Sequence, residues 1–175
     1  MGIDKSIKFI PINIGLLTIS DTRSFSNDLS GDLLNKNIID FGHNVLERKI
    51  IKDDVVLIKN TILKLIDYKN LDVIITTGGT GLTGRDSTPD VVEDISDKII
   101  IGFGELFRHI SYNKIGTSTV QSRAIGAIIK GKYIFSLPGS TNACKDAWNE
   151  ILKYQLDIRH KPCNFIELIP RLKEK

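Results

Sequence analysis

"TTGGTGLTGRDSTPD" runs from Thr76 to Asp90, between the apolar run "LDVII" and the segment "VVEDI". The run before it is short, continuous and β-branched, as in a strand covered on both faces of a parallel sheet. After it, Thr88-Pro89 supplies a helix N-cap and an N1 proline. The stretch therefore joins a buried strand to a helix, the repeating unit of α/β domains. Between the two, Gly78, Gly79, Gly81 and Gly84 leave four of seven positions as bare backbone. Such backbone lets main-chain N–H groups approach an anion, most often phosphate. A tight turn also uses glycine, but needs only one or two. Asp86 stands beside this cradle, and a carboxylate there repels phosphate unless a metal ion or a reacting proton lies between them.

Working outward, "INIGLLTIS" (Ile12–Ser20) reads as a second buried strand and "DLSGDLLNKNIIDFG" as a helix ending at Gly42. "HNVLERKII" alternates like a strand, and "VVLIKNTILKLIDY" repeats apolar residues at helical spacing. "FGELFRHISY" reads as helical. "AIGAIIK" and "KYIFSLPG" flank a Lys130-Gly131 turn, which predicts a hairpin. "STNACKDAWNEILKYQLDI" is a long helix capped by Ser140 or Thr141. These elements predict a single three-layer α/β/α domain, with a mostly parallel sheet and one antiparallel hairpin strand. It covers residues 11–158, after an N-terminal extension (1–10) and before a C-terminal tail (159–175). Ligands of such sheets bind beyond the carboxyl ends of the strands. Residues 21–26, 78–86 and 138–141 should meet there.

The rest of the composition narrows the function. A length of 175 residues suits one domain with a sizeable core. No apolar run approaches the roughly 18 residues of a membrane span. The net charge of +3 is too small and dispersed for a nucleic-acid surface. Cys144 and Cys163 lie far apart without CxxC spacing, which excludes a zinc site or disulfide framework and suits the cytoplasm. Gly79, Gly81 and Gly84 match the dinucleotide fingerprint by letter. That fingerprint opens its helix at once, whereas here the helix waits for Pro89. The P-loop fails as well, because Arg85 and Asp86 replace its lysine and its magnesium-binding hydroxyl.

"TTGGTGLTGRDSTPDVVEDI" resembles the signature of the molybdopterin-binding MoaB/MogA family of molybdenum-cofactor biosynthesis proteins. The similarity extends through "LTISDTRS", "GFGELFRHISYNKIGTSTVQSRA", "FSLPGSTNACKDAW" and "RHKPCNF", nearly the whole chain from Phe9. "IGTSTVQSRA" and "RHKPCNF" resemble the B branch in particular. The resemblance implies a three-layer fold assembled as a trimer or a hexamer, with the tail packed on a neighbouring subunit. It implies transfer of AMP from Mg-ATP to the terminal phosphate of molybdopterin, ahead of molybdate insertion by a partner protein. By the same resemblance Gly78, Gly79, Thr80 and Gly81 hold the pterin phosphate. Asp86 matches a catalytic acid, and Asp53 or its neighbour Asp54 the second.

Two carboxylates with phosphate oxygens would suit magnesium, so Asp86 and Asp53 are also its candidate ligands. Ser20 and Asp21 follow the first strand at the same edge, and either touch substrate or form a turn. Gly139 and Ser140, in "LPGS", are further candidate substrate contacts, although the sister branch has "LPG-x-P" there. Ser140 could instead simply cap its helix. A molybdopterin-binding carrier without catalysis is the alternative function.

Overall fold

The computed structural model describes residues 2–174. In chain order its elements begin β1 (Gly2–Ile3), β2 (Asn13–Ile19), α1 (Leu29–Phe41), β3 (Asn44–Ile51), α2 (Val55–Ile66) and β4 (Val73–Thr77). They continue with α3 (Thr88–Ile95), β5 (Lys98–Ile100), α4 (Ile101–Ile115), β6 (Ile125–Ile129) and β7 (Lys132–Leu137). A final helical rod joins α5 (Thr141–Asp146) through a π-helical turn (Ala147–Leu152) to α6 (Lys153–Gln155), and β8 (His160–Lys161) follows. No helix among the described residues is long and apolar enough to cross a membrane.

The main sheet has the order β3-β2-β4-β7-β6-β5. Strands β3, β2, β4 and β7 are parallel, whereas β6 is antiparallel to β7 and β5 to β6. Side chains alternate across a strand, and here both faces are apolar. Ile14, Leu16, Val73 and Ile75 meet Leu34 of α1, Phe107 of α4 and Trp148 of the final rod. Leu17, Ile19 and Ile74 meet Ile58 and Ile62 of α2 and Val92 of α3. This is the expected three-layer architecture. The hairpin turns through Lys130 (φ 49) and Gly131 (φ 75), the two left-handed residues of a two-residue connection that follows strand twist.

Some local expectations change. The N-cap of α3 is Ser87, without a side-chain cap bond, and Thr88 is its first helical residue. The Thr88 hydroxyl donates instead to the Gly78 carbonyl at 3.2 Å. Strand β5 has three residues, too few for alternation to show. The N-terminal extension pairs antiparallel with β8, Gly2 opposite Lys161. In the tail, Phe165 packs on Tyr133 and Phe135 with ring centroids 4.9 and 5.4 Å away, and Ile166 is buried in the same core. Phe165 and Ile166 of the tail thus have places within their own chain.

Candidate active site

Strands β2, β3, β4 and β7 deliver their following loops to one edge. The sheet does not stop at Thr77, because the Gly78 N–H donates to Leu137 O at 3.0 Å. Gly78 (φ 97) and Gly79 (φ 63) are both left-handed, a conformation that favours glycine. Space imposes the same choice at Gly78, where a Cβ would lie 2.1 Å from Ile19 O. Gly79 O accepts the Thr88 N–H at 3.0 Å, fastening the loop to α3. The Gly78 amide is therefore spent on the sheet. Those of Gly79 and Thr80 have no acceptor among the described residues, which leaves two main-chain donors for a ligand.

Each of the two acids stands against one glycine of this loop. A Cβ on Gly79 would lie 3.0 Å from Asp53 Oδ2, and one on Gly81 2.6 Å from Asp86 Oδ2. Asp53 follows β3, and its Oδ1 accepts only a long bond from the Ser87 hydroxyl, 3.4 Å. Burial raises its pKa above the usual carboxylate value, and the charges of Asp86 and Asp21 push the same way. Asp86 is held differently. Its Oδ2 accepts the Thr83 hydroxyl at 2.5 Å and the Thr83 N–H at 3.0 Å. The hydroxyl bond chiefly lowers its pKa, so Asp86 stays ionised. Two neighbouring acids with pKa values pushed apart are the pattern of a site with divided roles. Asp54 takes no part here, because its side chain caps α2 by accepting Leu57 N–H at 2.8 Å.

The remaining candidates divide. Ser20, Gly78 and Gly139 line one pocket of about 250 Å³, with Thr18, Asp28 and Ser30. Ser20 Oγ also accepts the amides of Thr22 and Arg23 at 3.3 and 3.2 Å, which shapes the turn. Asp21 bonds Arg85 at 2.9 Å, tying the β2 loop to the glycine loop. Ser140 lies outside this pocket and caps the final rod, accepting Ala143 N–H at 3.2 Å. A wider depression of about 510 Å³ lies at the opposite end of the sheet, beside the hairpin turn. Size alone does not select the site; the unpaired amides and the acids do.

Sequence reasoning passed over three residues. Asp28 is 1% exposed, yet it accepts Thr18 Oγ1 (2.7 Å), Arg48 Nη2 (2.9 Å) and the Gly31 N–H (3.0 Å). It floors the pocket and caps α1. Its signal was the ordinary one of an N-cap acid before an amphipathic helix. Arg48 was hidden in an alternating strand. Arg123 is the third. Its Nε donates to Gly81 O at 2.9 Å, its Nη2 to Asp86 O, and its Nη1 to both Asp90 oxygens at 2.9 Å.

Residues 15–158 match the family model described as a probable molybdopterin binding domain. The chain belongs to that family. The matched span takes in every site residue above, and leaves out the β1–β8 pair. Family relatives called molybdenum cofactor biosynthesis protein B include one from Escherichia coli K12, 41% identical over 160 residues, or 91% of this chain and 94% of the relative. Another, from Bacillus cereus, is 45% identical over 142 residues, covering 81% and 84%. A crystal structure of molybdenum cofactor biosynthesis protein B superimposes with a TM-score of 0.85 at 38% identity, covering 95% of this chain and 98% of that one. This molybdopterin-binding chain is thus a member of the molybdenum cofactor biosynthesis proteins in sequence and in fold.

Proposed function

We propose that the chain adenylylates molybdopterin at the expense of Mg-ATP. One observation carries this reading: Asp53 and Asp86 flank a glycine loop whose Gly79 and Thr80 amides are free. The pterin's terminal phosphate sits on those amides, and its oxygen attacks the α-phosphorus of ATP. The bond to pyrophosphate breaks, and pyrophosphate leaves. Bringing two polyphosphates together makes in-line positioning and charge neutralisation the main catalytic tasks. Magnesium supplies the neutralisation when bound, and Asp53 and Asp86 would hold it. Burial chiefly raises Asp53 and the charges of Asp86 and Asp21 add to it, so a bound cation would stabilise its ionised form. No three His, Cys, Asp or Glu among the described residues form a protein-only metal site. Magnesium commonly needs just one or two carboxylates beside phosphate oxygens and water.

In this reading the chain works in the cytoplasm as a trimer or hexamer, and hands its product to a molybdate-insertion protein. The test is incubation of the pure protein with molybdopterin, ATP and magnesium, with adenylylated pterin as the readout. Absence of product with retained pterin binding favours the second reading, a carrier without catalysis. One feature speaks for the carrier: Asp86 is already engaged by Thr83, as an acid that only shapes a loop would be.

A further inference from the structure

Arg123 lies two residues before β6, and β6 runs antiparallel to β7. The start of β6 therefore lies at the carboxyl edge of the parallel strands, beside the glycine loop. One guanidinium there spans three acceptors: the carbonyls of Gly81 and Asp86, and the Asp90 carboxylate in the first turn of α3. An exposed Arg–Asp pair alone would contribute little. The two carbonyl bonds are different, because they fix backbone on either side of the otherwise exposed residues 82–85.

A trans peptide is planar, so its C=O and N–H point in opposite directions. Drawing the Asp86 carbonyl toward Arg123 fixes the plane of the peptide that leads into Ser87, and the Ser87 hydroxyl reaches Asp53 Oδ1 at 3.4 Å. Holding the Gly81 carbonyl fixes the residue against which the Asp86 carboxylate rests. We propose that Arg123 is the positioning residue of this site, one side chain that sets the spacing of Asp53 and Asp86 across the glycine loop. Its effect on turnover rests on the adenylyl-transfer reading; its effect on loop geometry does not. Lysine cannot replace it, because a single ammonium on a flexible stem does not reproduce a planar fork of donors.

Arg123→Ala and Arg123→Lys are compared with wild type by thermal melting, amide hydrogen exchange at residues 79–87, molybdopterin titration and turnover with Mg-ATP. Both variants should melt close to wild type. Loop exchange should quicken by roughly tenfold or more as local opening becomes easier. Turnover should fall by roughly 100-fold, the scale of a small misplacement of reacting groups. Lysine should restore less than a tenth of the loss. Wild-type exchange and turnover in Arg123→Ala, or full restoration by lysine, overturns the proposal. If wild type itself does not turn over, the adenylyl-transfer reading falls and the clamp is still decided. Faster loop exchange with weakened molybdopterin binding then upholds it, and unchanged values of either overturn it.

Discussion

Asp53 Oδ2 and Gly79 are neighbours across the site, 3.0 Å separating the carboxylate oxygen from the place a Cβ on Gly79 would take. Asp54, one residue further on, is occupied with capping α2. The structure therefore gives the two adjacent acids opposite employment, and their substitutions should behave differently.

For Asp53 the sign follows from its raised pKa, caused first by burial. The folded state prefers the neutral carboxyl, so this group's stabilising contribution is complete below its unfolded pKa. That contribution is lost as pH rises through the folded value. Asp53→Asn should accordingly melt slightly higher than wild type at pH 7, with the advantage vanishing toward pH ~3, below the unfolded Asp value. Its turnover should collapse. Asp54→Ala should instead lose about 1 kcal/mol of stability through the missing cap and keep its pterin affinity. Melting curves across pH for both variants check this, and a neutral-pH loss of stability in Asp53→Asn would contradict it.

Asp86→Asn keeps an oxygen for the Thr83 bonds but removes the charge. Turnover should fall by on the order of 10²- to 10³-fold, as when a group aimed at developing charge is lost. Molybdopterin affinity should hold or improve, because a negative charge near its phosphate has gone. Steady-state kinetics beside calorimetry decides the matter; an equally active variant removes Asp86 from the chemistry.

Glycine substitutions should separate along the loop. At Gly79 the φ of 63 and a Cβ only 2.3 Å from Thr88 Oγ1 make Gly79→Val strained twice over, and pterin binding should disappear. At Gly81 the nearest obstacle is the movable end of Asp86, so Gly81→Ala should fold and displace that carboxylate. Calorimetry and melting distinguish them. Wild-type affinity in Gly79→Val would reduce the loop to a turn.

Acid should unfold the protein partly through His43. Burial drives its pKa down from 6.5 to about 4, outweighing the nearby Asp157 charge. Its Nδ1 accepts the Ile12 N–H at 3.3 Å, and its ring stacks on Phe9 at 5.1 Å. The neutral ring stabilises the fold above pH 6.5, and that stability is lost as pH falls through 4. The loss should reach about 2–3 kcal/mol. Denaturant titrations between these limits should show a shallower slope for His43→Phe than for wild type.

Self-association provides a last test. Ile101, Tyr112, Ile115 and Val120 are exposed apolar residues along α4 and the turn after it. Exposed apolar residues gathered on one segment commonly mark an interaction face. Light scattering at micromolar concentration should give a trimer or hexamer, and Ile115→Glu with Val120→Glu should weaken it. A wild-type monomer would refute the assembly.

Much of the fold was legible because both its periods were unbroken. Leu16 and Leu17 alternate into opposite cores, and Ile58, Ile62 and Leu65 hold one face of a helix. The glycine loop announced itself by composition. Pairings over distance did not. Nothing local marks Lys98–Ile100 as an edge strand, or Gly2 as the partner of Lys161. Arg123 carries no local signal, since its three acceptors lie 33 to 42 residues away in sequence. Thr88 misled for a similar reason. A hydroxyl at a helix start reads as a cap, while here it serves the Gly78 carbonyl across the loop.

The hydrogen bond from Gly78 to Leu137 divides the loop into halves with different freedoms. Residues before Thr80 are continuous with the sheet, whereas Leu82 to Arg85 are exposed and sustain no core. Under the proposed function an arriving phosphate would meet donors already in place, so little ordering would be needed on binding. The outer half is then open to change. Sequence variation at Leu82 or Gly84 can reshape what approaches the anchored half without disturbing the sheet beneath it, which makes this short limb the natural place to retune substrate choice.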